Sequence, residues 1–269
     1  MILIIIGLII GLLVGGLCYI LGMAWWWSLV MVLTGLPIAV GLMFLIAIIS
    51  LIFNHKKEYV IKTKKIYGII IYLACDFLMV LLRLKVKKEG LEKLKGVKSY
   101  ELVINHQAMC DPFVLISNLK RTDIGFMIKK EILKLKVIGN FLVMAGFYPI
   151  DRQNNRQGLV ATLHAIDAIR NGRTIGIFVE GTRSKGPDMG EFHEGSFKMA
   201  QKAKSPLVVC VLDNTYSFSK LYPWRRTKIL FKVCEVIPYE EIADLKTSEI
   251  SERVRGIMEN ALSEYRKTC

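Results

Sequence analysis

Residues 105–112 read Asn-His-Gln-Ala-Met-Cys-Asp-Pro. The mostly apolar residues 100–104 before them, Tyr-Glu-Leu-Val-Ile, predict a short buried strand, and residues 113–120 predict a helix. Asp111 is a favourable N-cap and Pro112 a favourable first helical residue. His106 is therefore expected where a strand ends, and a loop that turns back into the helix would bring Asp111 beside it. A carboxylate fixes the tautomer of an imidazole and stabilises its protonated form, so the pair predicts a base for a hydroxyl proton. Asp-Pro is also a common helix start, and a purely structural role is the alternative.

The composition indicates a protein that lies partly in lipid. The chain has 269 residues, 53% of them hydrophobic, and a mean hydropathy of +0.40. A net charge of +14 favours an anionic membrane surface or an acidic partner. Nucleic acid is not expected as a partner, because the sequence has no aromatic-rich RNA signature and no zinc spacing. The six cysteines form no C-x-x-C pair and are expected to be reduced thiols in a cytoplasmic catalytic part, with no metal site.

Residues 1–54 contain no charged side chain and predict a transmembrane hairpin, with spans at about 2–21 and 29–53. Three tryptophans at positions 25–27 are typical of an interfacial anchor between the spans. A signal peptide is the competing interpretation, but a basic start and a convincing cleavage site are missing and a second apolar run follows. The lysines at 56, 57, 62, 64 and 65 place the rest of the chain in the cytoplasm by the positive-inside rule.

Residues 55–90 are interpreted as a basic juxtamembrane segment followed by an apolar helix. The apolar run over residues 66–84 carries Asp76 in its middle. A third membrane span is one interpretation of this run. The preferred one is a helix that lies in the membrane interface or packs on the following domain.

Residues 91–269 predict one α/β domain with a mixed, largely buried sheet flanked by helices. Strands are predicted at residues 174–179, 206–212 and 228–236. Helices are predicted at residues 155–170 and 248–266, the first with an apolar stripe through Leu159, Leu163 and Ile166.

A second polar stretch, Phe-Val-Glu-Gly-Thr-Arg-Ser at residues 178–184, begins where a predicted strand ends. Ligands of α/β domains bind at the carboxyl ends of strands, and backbone N–H groups, hydroxyls and a guanidinium together suit a phosphate. A plain polar turn is the alternative. Asp151 and Arg152 follow another apolar run, where a surface salt bridge is the usual explanation, and His193 is interpreted as a loop residue rather than a second base.

The order of these motifs resembles the glycerolipid acyltransferase family. His-x4-Asp at 106–111 is followed by Ile-Asp-Arg at 150–152, Glu-Gly-Thr-Arg-Ser at 180–184 and an apolar strand that begins with a proline. The resemblance covers about residues 85–215, and its best-known members are the 1-acylglycerol-3-phosphate acyltransferases.

The resemblance implies transfer of a fatty acyl group from acyl-CoA or acyl-carrier protein to the free hydroxyl of 1-acylglycerol 3-phosphate. The product would be phosphatidic acid, in phospholipid biosynthesis. His106 would be the base and Asp111 its partner, and no cofactor or metal is implied beyond the acyl donor. Binding of the acceptor is expected from six residues: Glu180, Gly181, Thr182, Arg183, Ser184 and Arg152.

Three alternatives stay open from the sequence. The acceptor could be glycerol 3-phosphate or another lysophospholipid. A membrane esterase could use a His-Asp pair, although the sequence has no Gly-x-Ser-x-Gly elbow. A non-catalytic lipid-binding protein could retain the same fold.

Overall fold

The computed structural model describes residues 59–61, 63–121, 123–151 and 154–268, with separate positions at 9, 12, 13, 16, 20 and 41. Those six positions are helical and exposed. The predicted hairpin otherwise lies outside the described residues, as do the lysines at 56, 57 and 62. No helix in the described part of the chain combines the length and apolar character needed to cross a bilayer.

Seven strands form one sheet in the order β1-β7-β6-β2-β5-β3-β4. The strands β6, β2, β5, β3 and β4 are parallel, β7 is antiparallel to β6, and β1 is parallel to β7. This arrangement confirms the predicted mixed α/β fold. The strands are β1 (Leu84–Glu89), β2 (Glu101–Ile104), β3 (Ile124–Lys129), β4 (Tyr148–Ile150), β5 (Thr174–Phe178), β6 (Leu207–Asp213) and β7 (Thr227–Ile237).

Helices cover both faces of the sheet. Strand β6 is buried along its whole length, with Val208, Cys210 and Leu212 in the core cluster that includes α1, α2 and α3. Its alternate residues, Leu207, Val209 and Val211, lie in a cluster of the opposite face that includes α5 and α7. A second cluster on that face includes α4 and α5. Such two-sided burial is typical of parallel sheets. The described helices are α1 (Lys65–Leu81), α2 (Asp111–Leu119), α3 (Lys136–Met144), α4 (Asn155–Arg170), α5 (Lys198–Ala203), α6 (Phe218–Leu221) and α7 (Thr247–Thr268).

The predicted boundary of the domain at residue 91 is wrong, because β1 already belongs to the sheet. Residues Leu84–Glu89 pair with β7 along their whole length. The sequence of this strand, Leu-Lys-Val-Lys-Lys-Glu, is largely charged, and its side chains are only partly buried. A charged edge strand protects a sheet from pairing with other chains, and the same charges hide it from an apolar pattern search.

Helix α1 packs on the domain, which is one of the two positions preferred from the sequence. Tyr67, Ile71, Cys75 and Met79 recur every four residues and are buried in the core shared with α2. The Ser117 hydroxyl of α2 donates a hydrogen bond of 3.1 Å to the Asp76 carboxylate. This contact accounts for an acidic residue in an otherwise apolar helix. The opposite side of α1 exposes Ile66, Ile69, Val80 and Leu81.

The predicted apolar stripe of α4 is buried only at Ile166. Leu159 and Leu163 are 59% and 51% exposed. The buried stripe consists instead of small residues together with Ile169, namely Ala161, Ala165 and Ala168. Alanines let a helix approach a sheet closely, whereas hydropathy alone favours the leucines, and this explains why the wrong face was predicted.

Glu101 is fully buried at the start of β2. One carboxyl oxygen accepts a hydrogen bond from the Ala200 backbone N–H of α5, and the other has no partner within the described residues. Burial raises the pKa of Glu101 well above its ordinary value of 4.5, and the bond from Ala200 opposes the shift. Burial therefore favours the neutral carboxyl in the folded protein over the charged one.

Replacing Glu101 by glutamine is expected to make stability less dependent on pH. The pKa of Glu101 is higher in the folded protein than in the unfolded chain. Below about pH 4.5 the carboxyl is neutral in both states, and the free energy of unfolding decreases as the pH rises from there towards the folded-state pKa. The loss should reach about 1.4 kcal/mol per pH unit in this window. Thermal unfolding of the full-length protein in detergent measures it, with the exposed Glu92→Gln as control. Identical pH profiles for Glu101→Gln and wild type would contradict the raised pKa.

Candidate active site

Asp111 is the first residue of α2 and not its N-cap, which is Cys110. The predicted capping role is therefore wrong by one residue. The carboxylate turns back over the preceding loop, where Oδ2 lies 2.7 Å from His106 Nδ1. The same oxygen accepts the backbone N–H groups of Gln107 at 2.7 Å and Ala108 at 2.9 Å. One buried carboxylate oxygen thus closes residues 106–111 into a compact loop, as expected for the pair.

This geometry determines which nitrogen of His106 is available. With Nδ1–H donated to the Asp111 carboxylate, the neutral ring presents the lone pair of Nε2. The His106 side chain is 17% exposed and that of Asp111 is fully buried. The His106 ring also stacks on Phe178 at the end of β5, with 4.1 Å between ring centroids. The imidazole is held on two sides and can accept a proton at its remaining nitrogen.

The second polar motif holds the backbone of His106. The His106 N–H donates to Glu180 Oε1 at 2.7 Å, and the Ser184 N–H donates to the His106 carbonyl at 2.8 Å. The other Glu180 oxygen accepts the Gly190 N–H at 2.6 Å. Burial raises the pKa of Glu180, and the two backbone hydrogen bonds oppose that shift. Residues 74 positions apart in sequence therefore meet, because β2 and β5 are neighbours in the sheet.

The contacts of Asp111, Glu180 and Ser184 with His106 are together called the clamp. All but one of the residues predicted to bind phosphate belong to it or lie next to it in the sequence. Gly181 has φ of +66°, in the left-handed region that favours glycine. Thr182 and Arg183 are exposed and Ser184 is half-buried. In the described part of the chain, the Arg183 guanidinium makes no hydrogen bond or ion pair with the protein. Arg152 lies outside the described residues, so its predicted role stays a prediction.

Four polar residues that the sequence did not single out support the same loop. Both ends of the Asn105 amide bond the backbone of Leu212, at 2.8 and 2.9 Å. The Gln107 amide donates to Asp213 at 3.3 Å and accepts from Thr215 at 3.2 Å. The signal that could have identified Asp213 is its position, a polar residue at the carboxyl end of the buried strand β6.

The thiol nearest to the site is not suited to attack a thioester. Cys110 is buried, and burial together with the Asp111 charge raises its pKa to about 12. The thiol therefore stays protonated at neutral pH, and thiolate is the reactive form. Across the described ranges, no group of three or more His, Cys, Asp or Glu side chains is placed to hold a metal ion.

Comparison with known proteins gives a consistent result. Residues 85–213 match the model of the Acyltransferase family. A 1-acyl-sn-glycerol-3-phosphate acyltransferase of Borreliella burgdorferi is 31% identical over 135 residues, which are 50% of this chain and 54% of that protein. One of the same name from Saccharomyces cerevisiae is 29% identical over 189 residues, 68% of this chain and 62% of that protein. The matches thus span between half and two thirds of these relatives.

The fold also matches a solved structure. The crystal structure of the 1-acyl-sn-glycerophosphate acyltransferase from Thermotoga maritima superposes with a TM-score of 0.61 at 21% sequence identity. The superposition covers 73% of this chain and 78% of the other. The two chains share the α/β fold.

Proposed function

We propose that this chain, whose residues 85–213 match the model of the Acyltransferase family, acylates 1-acylglycerol 3-phosphate. The acyl donor is a fatty acyl thioester, either acyl-CoA or acyl-carrier protein, and the product is phosphatidic acid. The observation that carries the proposal is the clamp on His106. Asp111 fixes its ring, while Glu180 and Ser184 fix its backbone.

In the proposed reaction, His106 Nε2 takes the proton of the acceptor hydroxyl as the hydroxyl oxygen attacks the thioester carbonyl carbon. The new C–O ester bond forms, the C–S bond breaks, and the imidazolium returns its proton to the leaving thiolate. Asp111 stabilises the imidazolium in between, as the aspartate does in the serine-hydrolase relay. The acceptor supplies the nucleophile, which agrees with the protonated, buried thiol of Cys110.

The acceptor phosphate is proposed to bind beside the clamp. Arg183 is exposed next to the stretch that holds His106, and a guanidinium suits the planar, two-pronged recognition of phosphate. Gly181, Thr182 and Ser184 offer backbone and hydroxyl groups at the same place. Glu180 is committed to two backbone N–H groups, so its role is to hold the loop rather than to touch phosphate. Arg152 adds positive charge.

The protein is further proposed to be an integral membrane protein whose catalytic domain faces the cytoplasm. The charge-free residues 1–54 are long enough for two spans. Lys64 and Lys65 lie at the N-terminal end of α1 and would attract anionic lipid at the surface. The exposed apolar side chains of α1 suit a position at the bilayer. A water-insoluble acceptor would then reach His106 from the membrane and the acidic donor from the cytosol.

An acceptor panel tests the proposed function. The purified full-length protein is given acyl-CoA or acyl-carrier protein with one of three acceptors: 1-acylglycerol 3-phosphate, glycerol 3-phosphate or lysophosphatidylcholine. The highest kcat/KM is expected with 1-acylglycerol 3-phosphate. A preference for another acceptor would replace the proposed substrate within the same family, and hydrolysis of the donor without transfer would favour an esterase.

Replacing Arg183 by alanine is expected to weaken use of the phosphate-bearing acceptor and to spare the acyl donor. Loss of a charge-assisted contact to phosphate costs about 1.5–3 kcal/mol, or about 10- to 150-fold in kcat/KM for the acceptor. Steady-state kinetics with each substrate varied in turn measures the effect. Lys98→Ala is the control, because exposed Lys98 precedes β2 and lies at the opposite end of that strand from His106. An unchanged acceptor kcat/KM would remove Arg183 from the phosphate site.

A further inference from the structure

Helix α7 lies outside the region that matches the family model, yet it contacts the active-site loops at two places. Arg266 Nη2 donates to Asp213 Oδ1 at 2.7 Å, and its Nε donates to Asp213 Oδ2 at 3.1 Å. The same Nη2 donates to the Pro187 carbonyl at 2.6 Å. One guanidinium therefore joins the end of β6 to the segment between Ser184 and Gly190.

The first contact leads to the catalytic loop through Gln107. The Asp213 carboxylate, held by Arg266, accepts the Gln107 side-chain N–H at 3.3 Å. The backbone N–H of Gln107 donates to Asp111 Oδ2, the atom that also bonds the His106 ring. Gln107 and Asp213 are both buried. The path from α7 to the His106 ring thus consists of four consecutive polar contacts.

The second contact leads to the backbone of His106 through Glu180. The Arg255 guanidinium donates to the Gly190 carbonyl and lies over the Phe192 ring, 4.4 Å from its centroid. The N–H of Gly190 donates to Glu180, whose other oxygen accepts the His106 N–H. Between the two contacts, a cavity of about 460 Å³ separates residues 187–189 from α7. The two arginines therefore bridge an interface that is not fully packed.

We propose that Arg266, assisted by Arg255, is a positioning residue for the acyl-transfer site. It acts through Asp213 and Gln107 to keep the His106–Asp111 loop in its reactive geometry, and it does not touch substrate. Arg266 and Asp213 form a two-pronged pair, which fixes orientation as well as distance. A small displacement of a catalytic base costs rate even when its cause lies away from the chemistry. The kinetic part of this proposal rests on the proposed function.

The structure offers a matched control on the same helix. Arg253 also pairs with two carboxylates, Glu235 at 3.0 Å and Glu241 at 2.7 Å. Neither carboxylate belongs to the loops around His106. Arg253→Gln therefore removes the ion pairs of another arginine of α7, with more exposed partners, without affecting either path to the active site.

The test compares Arg266→Gln and Arg253→Gln in the full-length protein. Arg266→Gln is expected to lower kcat by about 10- to 10²-fold and to leave both KM values near wild type. Its thermal midpoint is expected to fall further than that of Arg253→Gln, because Asp213 is buried whereas Glu235 and Glu241 are more exposed, so kcat of both variants is measured well below their midpoints. Arg266→Lys keeps the charge but loses the two-pronged geometry, so it should recover stability without recovering kcat. If kcat of Arg266→Gln equals that of Arg253→Gln, or if Arg266→Lys restores kcat, the positioning role is wrong.

A double-mutant cycle tests the path itself. If Arg266 acts through Asp213, the kcat of Arg266→Gln/Asp213→Asn should match that of the more damaged single variant. Independent, multiplicative losses would overturn this path.

A chemical probe separates this proposal from the proposed function. Diethyl pyrocarbonate modifies accessible imidazoles, and peptide mass spectrometry gives the rate at His106 relative to His164, which stacks on Tyr59. Arg266→Gln should speed modification of His106, while Arg253→Gln should not. Equal rates in the two variants would overturn the positioning role. A wild-type protein that transfers no acyl group would refute the proposed function and leave this comparison valid.

Discussion

Replacing His106 by alanine is expected to lower kcat at least about 10²-fold, which is the lower range for loss of a general base. The ring occupies the space between Asp111 and Phe178, and among the described residues neither neighbouring candidate, Cys110 or Glu180, can take its place. Cys110 stays protonated and Glu180 is engaged by two backbone N–H groups. Formation of phosphatidic acid from 1-acylglycerol 3-phosphate and acyl-CoA measures the effect.

His193→Ala is the control for this experiment. His193 is exposed in the loop after Gly190, and its backbone N–H bonds the Val179 carbonyl, a contact that the substitution keeps. Activity of His193→Ala should stay close to wild type. Near-wild-type turnover in His106→Ala, or an equal loss in both variants, would contradict the role of His106 as the base.

Asp111→Asn is expected to be the second most damaging substitution, with a loss of about 10²-fold or more. The asparagine oxygen can replace Oδ2 and accept hydrogen bonds from the His106 ring Nδ1–H and from the backbone N–H groups of Gln107 and Ala108. The loop should therefore keep its shape. The negative charge that stabilises the imidazolium is lost. In addition, the amide nitrogen would occupy the position of Oδ1, which is buried without a partner among the described residues.

The effect of Asp111→Asn should appear in kcat rather than in either KM, because the carboxylate acts on the base and not on a substrate. Kinetics with both substrates varied, together with the far-UV circular dichroism of the variant, measures this. An unfolded variant would indicate that Asp111 serves mainly the structure of the loop. A folded variant with wild-type kcat would show that the charge is dispensable.

Four of the five interior strands, β2, β5, β6 and β7, could be predicted from the sequence, whereas the interior strand β3 and the two edge strands were not predicted. Strands β5 and β6 are apolar runs buried on both faces, which makes their pattern unmistakable. Strand β1 is charged because it forms one edge, and β4 at the other edge has only three residues, one of them a proline. Short edge strands depend on their neighbours for stability, and a sequence window does not contain those neighbours.

The reactive pair could be predicted because its members are five residues apart, within one loop. The contact of Glu180 with His106 depends instead on the adjacency of β2 and β5 in the sheet. The resemblance to a family indicated that the His-x4-Asp and Glu-Gly-Thr-Arg-Ser motifs form one site. It did not indicate that Glu180 accepts a hydrogen bond from the backbone N–H of His106. The role inferred for Arg266 could not be predicted from the sequence around it, because α7 carries several exposed charged residues. Only the tertiary fold, which pairs Arg266 with Asp213 and Arg253 with Glu235, distinguishes the two arginines.

The most direct test of direct acyl transfer at the His106–Asp111 site is the ratio of phosphatidic acid formed to thiol released. Purified full-length protein is incubated with acyl-CoA, with and without 1-acylglycerol 3-phosphate, and both products are quantified. The expected result is one phosphatidic acid per thiol when the acceptor is present and no thiol release above background without it. Release of thiol and free fatty acid in the absence of acceptor, or no phosphatidic acid in its presence, would contradict the account.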